Sequence, residues 1–373
     1  MRYMRYNKVS ICEFIKGENG MKIVVLAGGL CPERDVSLMS GTKVCNALRQ
    51  NGHQAVMIDI YMGLPDLAEG DLEYLFEMDG TLLPDPVISS TEPDLKALRD
   101  KREALIGKDD SQLGPHVLQI CRLADICFLG LHGGIGENGS LQATLDVLGI
   151  PYTGANSLAS ALAMHKGVTK QLLDNAGVPN ARGRMIHKRD IDTPLEYLGF
   201  TQPCVVKVCS GGSSIGVYIP QNETEYKEAL NACFAMEGDV LLEDYIEGRE
   251  FAVPVIAGKA YPVIEIIPKD GWFDYEHKYQ AGCTDEVCPA QIDEETARRM
   301  QNYAEKACEA LGIEVYSRPD FLMDQEGHLY CVEINTLPGL TPASLLPKSA
   351  AYTGLSYNDF CELVVREALK KYE

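Results

Sequence analysis

The residues best suited to chemistry lie near the carboxyl end. Arg318, Asp320, Glu333 and Asn335 flank the turn sequence Gln325-Glu326-Gly327. Folding the chain back at that turn sets Asp320 opposite Glu333 and Arg318 opposite Asn335. Side chains alternate along a strand, so all four share one face, and Phe321, Val332 and Ile334 take the other, apolar one. Two carboxylates and an amide are hard oxygen donors of the kind Mg²⁺ prefers, with its remaining positions left to water and phosphate. A solvated sheet face carrying cross-strand ion pairs fits the same pattern.

Four further segments carry reactive residue types. Lys207 precedes the turn Ser210-Gly211-Gly212-Ser213-Ser214-Ile215-Gly216, whose bare backbone N–H groups can wrap phosphate oxygens. It is not a Walker A loop, because no G-K-[ST] opens a helix; an ordinary Gly/Ser hairpin would look the same. Gly28-Gly29-Leu30-Cys31-Pro32-Glu33-Arg34-Asp35 offers Glu33 for an ammonium group, or simply a charged helix start. Leu131-His132-Gly133-Gly134 offers His132 for a substrate or for a structural hydrogen bond. Lys278 lies in a polar-aromatic stretch, Gly271 to Tyr279, of lid composition. Glu243-Asp244-Tyr245-Ile246, ahead of Glu250, suits an adenine and its ribose as well as it suits a plain strand end.

Those residues must be held by elements that the hydrophobic pattern outlines. A buried-type strand over 22–27, a helix over about 36–49 ending at Asn51-Gly52, and a strand over 54–60 open a parallel α/β sheet. Loops at the carboxyl ends of such strands are where open sheets bind ligands, and both the Glu33 and His132 loops are of that kind. Residues 61–115 are acidic and broken by Pro and Gly, and they give no clear pattern. A strand follows at 124–131 and a helix from Ser140. Helical pattern covers 157–176, 223–236, 295–311 and the end from about 356. Strands cluster at 205–208, 215–219, 239–245, 250–257 and 260–267. The chain divides near 154 and 246 into 21–154, 155–246 and 247–373, with 1–20 as an extension outside the fold and Met21 as an alternative start.

The chain has 373 residues, 46% hydrophobic and 24% charged, too long for one ordinary domain and too apolar to be disordered. With 34 Lys plus Arg against 54 Asp plus Glu, a broad basic surface for nucleic acid is excluded, although a pocket for a nucleotide needs only a few local cations. The 13 cysteines show neither zinc spacing nor a disulfide framework, which points to reduced thiols and a cytoplasmic protein. No apolar run is long enough to span a membrane.

In order along the chain, these segments resemble the ATP-grasp superfamily, and within it the D-alanine–D-alanine ligases of bacterial cell-wall synthesis. The matching residues are Gly28-Gly29, Glu33-Arg34-Asp35-Val36-Ser37, His132-Gly133, Gly136-Glu137-Asn138-Gly139 and Pro151-Tyr152-Thr153-Gly154. They continue with Lys166, Lys207, Gly212-Ser213-Ser214, Phe273-Asp274-Tyr275, Lys278-Tyr279, Arg318, Asp320, Glu333 and Asn335-Thr336-Leu337-Pro338-Gly339. The resemblance implies a three-domain ATP-grasp fold of the α/β class: an open parallel sheet, then two α+β domains that clamp ATP. It implies that ATP activates one D-alanine as an acyl phosphate, which the amine of a second D-alanine attacks. Lys166, Lys207 and Lys278 would hold phosphates, and Ser214 belongs to the same loop. Asp320, Glu333 and Asn335 would bind two Mg²⁺, with Mn²⁺ as a substitute. Glu33, with His132 nearby, would grip the first ammonium, and Arg318 and the Gly339 N–H the oxyanion. Ser213, Tyr279, Ser344 and Leu345 would shape the second amino-acid site. Glu243, Tyr245, Ile246, Glu250 and Trp272 would hold adenine and ribose. A homodimer is usual among the resembling enzymes.

Some positions depart from the family pattern: Asn138 where Asp is usual, Val208 for a proline, Gly211-Gly212 for a charged pair, Pro319 for a branched aliphatic and Phe273 for tyrosine. Retained Tyr279 favours an amine acceptor over a hydroxyl one. D-serine as the second substrate, and a nucleotide-binding module without catalysis, stand as the alternatives.

Overall fold

A computed structural model describes residues 20–77, 81–87, 93–212, 214–269 and 284–373. The chain forms two compact units. One takes in the chain up to Leu158 with Glu314–Ser317 and Thr336–Glu373; the other comprises Ala159–Ile313 with Arg318–Asn335.

The first unit is built on a parallel sheet of β1 (Lys22–Ala27), β2 (Gln54–Asp59) and β3 (Ile126–Leu129), in the order β2-β1-β3. Ile23 to Ala27 are wholly buried, as a central strand covered on both faces must be. The helix Arg34–Gln50 returns the chain from β1 to β2. The stretch without a readable pattern holds a 3₁₀ segment, Glu69–Phe76, and the helix Leu95–Ile106, and a short helix, Val117–Cys121, follows it. The final helix, Tyr357–Leu369, packs beside Arg34–Gln50. There Asn358 Nδ2 donates to Gln50 Oε1 at 2.9 Å, and Glu362 meets His53 at 2.8 Å.

In the second unit an antiparallel sheet contains β4 (Gly183–His187), β5 (Cys204–Val208), β6 (Val217–Tyr218) and β7 (Asp239–Asp244), ordered β4-β7-β5-β6. The helix Glu223–Met236 covers it, burying Tyr226, Leu230 and Cys233 against Ile186, Val206 and Leu242. A second sheet runs β10-β9-β13-β8-β11-β12, with β14 paired to β13. Its strands are β8 (Gly248–Ala252), β9 (Val255–Ile256), β10 (Lys259–Ala260), β11 (Ile264–Pro268), β12 (Thr284–Val287), β13 (Tyr316–Asp324) and β14 (Leu329–Asn335). Its core joins Phe251, Phe321 and Ile334 to Met300, Ala304 and Leu311 of the helix Glu294–Leu311.

The helices expected over 157–176 are Ser157–Met164 and Lys166–Asn175, and the His165 ring accepts the Val168 N–H at 3.2 Å and caps the second. One local expectation is corrected. Val332 does not join Phe321 and Ile334 on the apolar face. A bulge after Asp320 sets Phe321 opposite Cys331, and Cys331 takes the buried place. The cysteines among the described residues are free thiols, nearly all buried. Among those residues no helix is long and apolar enough to cross a membrane.

Candidate functional site

In the first unit, the loops leaving β1 and β3 are tied by Ser37. Its Oγ accepts the Gly28 N–H at 2.8 Å and donates to Gly130 O at 2.7 Å. Gly28 has φ +73°, and a Cβ there would come within 2.7 Å of the Asp59 carboxylate, so glycine is required. Asp59 pairs with Arg34, which also donates to Gly29 O at 2.9 Å; Arg34 thus braces the loop. Glu33 Oε2 lies against Gly133, where a Cβ would approach it to 2.5 Å. A cavity of about 270 Å³ here is walled by Gly28, Cys31, His132, Gly133 and Asn138 among others. Glu33 contacts that wall through Gly133 without being part of it. Burial pushes the Cys31 thiol up to about 12, with Glu33 adding to the rise, so Cys31 is no thiolate at neutral pH.

His132 is held through both ring nitrogens. A carbonyl can only accept, so Nδ1 donates to Leu337 O at 2.9 Å. Ser40 Oγ accepts the Leu340 N–H at 3.4 Å and stands 3.1 Å from Nε2, placed to donate to it. Glu137 completes the brace, accepting Gly133 N–H at 3.1 Å and Leu337 N–H at 3.4 Å. The segment carrying Gly339 is therefore fixed by His132, Ser40 and Glu137. A Cβ at Gly339 would come within 2.8 Å of Ser344 Oγ, which is bonded to Thr341 at 2.9 Å. Leu345 is buried at the head of the helix Leu345–Tyr352.

The second unit contains a cavity of about 460 Å³. Lys166, Lys207, Ser214, Glu243, Tyr245, Ile246 and Glu250 all line it, together with Glu333. Every described residue expected at the nucleotide is therefore on one wall system. Ser213, Trp272, Lys278 and Tyr279 lie outside the described residues, as do residues 1–19 of the expected extension.

The glycine-rich turn between β5 and β6 closes with Ile215 N–H on Gly212 O at 3.0 Å and Val208 N–H on Gly216 O at 3.1 Å. Lys166 Nζ donates to Gly211 O, tying the turn to its helix. Glu243 is 6% exposed and receives Lys207 at 2.5 Å and Lys170 at 2.7 Å. Burial alone would push its carboxyl up, but the two ammonium groups hold it below its ordinary range.

On β13 and β14 the register is the expected one, Arg318↔Asn335 and Asp320↔Glu333. Arg318 grips Asp320 through two bonds, 2.8 and 2.7 Å, and Asn335 Nδ2 donates to Asp320 Oδ2 at 2.9 Å. The Asn335 amide nitrogen is thereby committed, which leaves its Oδ1 as the oxygen donor. Two carboxylates and one amide oxygen on adjacent strands fit a hard divalent cation. The bulge turns Val332 and Glu333 both toward the cavity.

Sequence reasoning missed Ser40, Glu137 and Lys170. Ser40 lies one turn from Ser37 on the buried face of its helix, and Lys170 one turn from Lys166 on its own, so helical spacing marked both faces. Glu137 stood inside a quoted motif without a role.

Two antiparallel sheets around one cavity, a lysine beside a glycine-rich turn and acidic residues on a paired strand define an ATP-grasp fold. Family descriptions match on both sides: "D-ala D-ala ligase N-terminus" over residues 22–155 and "D-ala D-ala ligase C-terminus" over 172–366. This chain belongs to the D-alanine–D-alanine ligase family. It is 43% identical to a D-alanine–D-alanine ligase of Pediococcus pentosaceus, covering 95% of this chain and 99% of that protein. To the D-alanine–D-alanine ligase of Lacticaseibacillus casei it is 40% identical, over 94% and 97%. Among solved structures, the Bacillus anthracis D-alanine–D-alanine ligase complexed with ATP superposes with a TM-score of 0.71 at 28% identity, covering 95% of this chain and 98% of that one.

Proposed function

We propose that this protein is an ATP-dependent ligase that joins two molecules of D-alanine into D-alanyl-D-alanine for peptidoglycan precursor synthesis. The observation that carries the reading is the single cavity of about 460 Å³ that unites Lys166, Lys207, Glu243, Tyr245, Ile246 and Glu250 with Glu333. Family membership supplies the substrate class.

A carboxylate does not acylate an amine at neutral pH without a better leaving group. The carboxylate oxygen of the first D-alanine therefore takes the γ-phosphoryl group of ATP, releasing ADP. The amine of the second then displaces phosphate and loses a proton. Lys166 and Lys207 hold the phosphates, with Lys278 and Ser214, while Tyr245, Ile246, Glu250 and Trp272 surround adenine and ribose. Asp320, Glu333 and Asn335 would hold magnesium, which supplies positive charge as the phosphoryl group moves. Glu33 binds the first ammonium, its loop fixed against that of His132. Arg318 and the Gly339 N–H stabilise the oxyanion, and Ser213, Tyr279, Ser344 and Leu345 bound the second amino acid. The free, buried thiols support a cytoplasmic location. The family resemblance supports a homodimer, which light scattering would test.

Product identification by mass spectrometry, with ATP, Mg²⁺ and competing D-alanine, D-serine and D-lactate, tests the reading. D-alanyl-D-alanine is expected as the main product. A mixed product in excess would overturn the acceptor assignment, and no D-alanine-dependent ADP would overturn the activity.

A further inference from the structure

One carboxylate, that of Glu243, is shared by two lysines. Lys207 Nζ lies 2.5 Å from Oε2 and Lys170 Nζ 2.7 Å from Oε1. Lys170, Lys207 and Glu243 are 9%, 8% and 6% exposed, so their charges interact with little screening. An ammonium has three N–H donors. Lys170 uses all three, on Glu243, on Asn180 Oδ1 at 2.8 Å and on Ala181 O. Lys207 has Glu243 as its acceptor among the described residues. Lys207 and Glu243 line the large cavity; Lys170 is not among its lining residues.

The backbone makes room for this arrangement. Gly183 pairs directly with Glu243 across β4 and β7, and a Cβ at Gly183 would come within 2.6 Å of Lys170 Cε. Glycine there leaves the passage through which the lysine stem reaches the carboxylate.

Two ammonium groups and one carboxylate sum to a formal charge of +1 at the cavity wall. Without Lys170 the buried Glu243 would depend on Lys207 alone, and the pair would be neutral. We propose that Lys170 is a positioning residue for the nucleotide: it satisfies Glu243 from behind, so that Lys207 keeps net charge and free N–H donors for the phosphate chain. The proposal rests on the reading of this cavity as an ATP site.

Calorimetric titration of the full-length protein with ATP and with uncharged adenosine tests it, because their affinity ratio cancels contacts to the base. Lys170→Met, with a local sum of zero, should lower the preference for ATP about tenfold. Glu243→Gln, at +2, should raise it, and the double variant K170M/E243Q, back at +1, should match wild type. Glu243→Gln leaves two buried ammonium groups without their carboxylate and the double variant only one, so the comparison of the double variant with wild type stands even if a single variant folds poorly. A wild type that prefers ATP, with a ratio indifferent to these charges, overturns this inference alone. A wild type that binds neither ligand overturns the nucleotide reading as well.

Discussion

Asp320 accepts a two-bond grip from Arg318 and a third bond from Asn335, so its carboxylate is oriented before any ligand arrives. Glu333 lies directly across the ladder and on the cavity wall, where its carboxylate would meet a metal-bound triphosphate. Glu333→Gln keeps the shape and removes the charge; turnover should fall at least about a hundredfold while the thermal midpoint stays near wild type. Wild-type turnover in that variant would remove Glu333 from the metal set. Arg318→Met should lower kcat by about 10²–10³-fold, as loss of an oxyanion donor does. Its dissociation constant for ATP, read by titration, should change far less. Equal losses in both would mean that Arg318 acts in nucleotide binding.

At the scale of elements, β8 shows how tightly the second sheet is drawn. A Cβ on Gly248 would overlap the Met323 carbonyl of the neighbouring strand, although Gly248 has no unusual φ. Gly248→Ala should therefore destabilise the protein by about 1–3 kcal/mol, measured as a lower urea midpoint, because the paired strands must part. An unchanged midpoint would show that the ladder gives way easily. The β13–β14 hairpin was legible in the sequence because alternation and one turn fix its register, and Asp320 met Glu333 as expected. The bulge that turns Val332 to the cavity was not, because nothing local distinguishes Val332 from Cys331; packing decides between them. Helices over 157–176 were legible too, but the point where one ends and the next begins was not, since it is marked by the ring bond of His165 to Val168. Lys170 and Ser40 lay on readable helix faces. Their partners, Glu243 for one and His132 and Leu340 for the other, are far away in the chain, and periodicity carries no information about such pairs.

On the scale of the whole molecule, the chain's end is part of the first unit. Lys371 Nζ donates to Gly154 O at 2.8 Å and sits over the Tyr152 ring. Burial lowers its pKa from 10.5 to about 8, outweighing the opposing pull of Glu314 and Asp146. Below about pH 8 the amine is protonated both folded and unfolded. Between about 8 and 10.5 the unfolded chain holds a proton that the folded one has released, so stability rises with pH in that window. Relative to Lys371→Met, wild-type unfolding free energy should climb across that range; parallel curves would contradict the lowered value. That the terminal helix would pack beside Arg34–Gln50 was not legible either, because the contact joins opposite ends of the sequence. The family pattern nevertheless spans both units, and it assigns them one reaction, activation of a D-alanine carboxylate by ATP. Supplying D-alanine labelled with ¹⁸O in its carboxyl group and analysing the released inorganic phosphate tests that assignment most directly. One carboxyl oxygen should appear in phosphate for each dipeptide formed, with ADP in equal amount; unlabelled phosphate, or AMP in place of ADP, would contradict it.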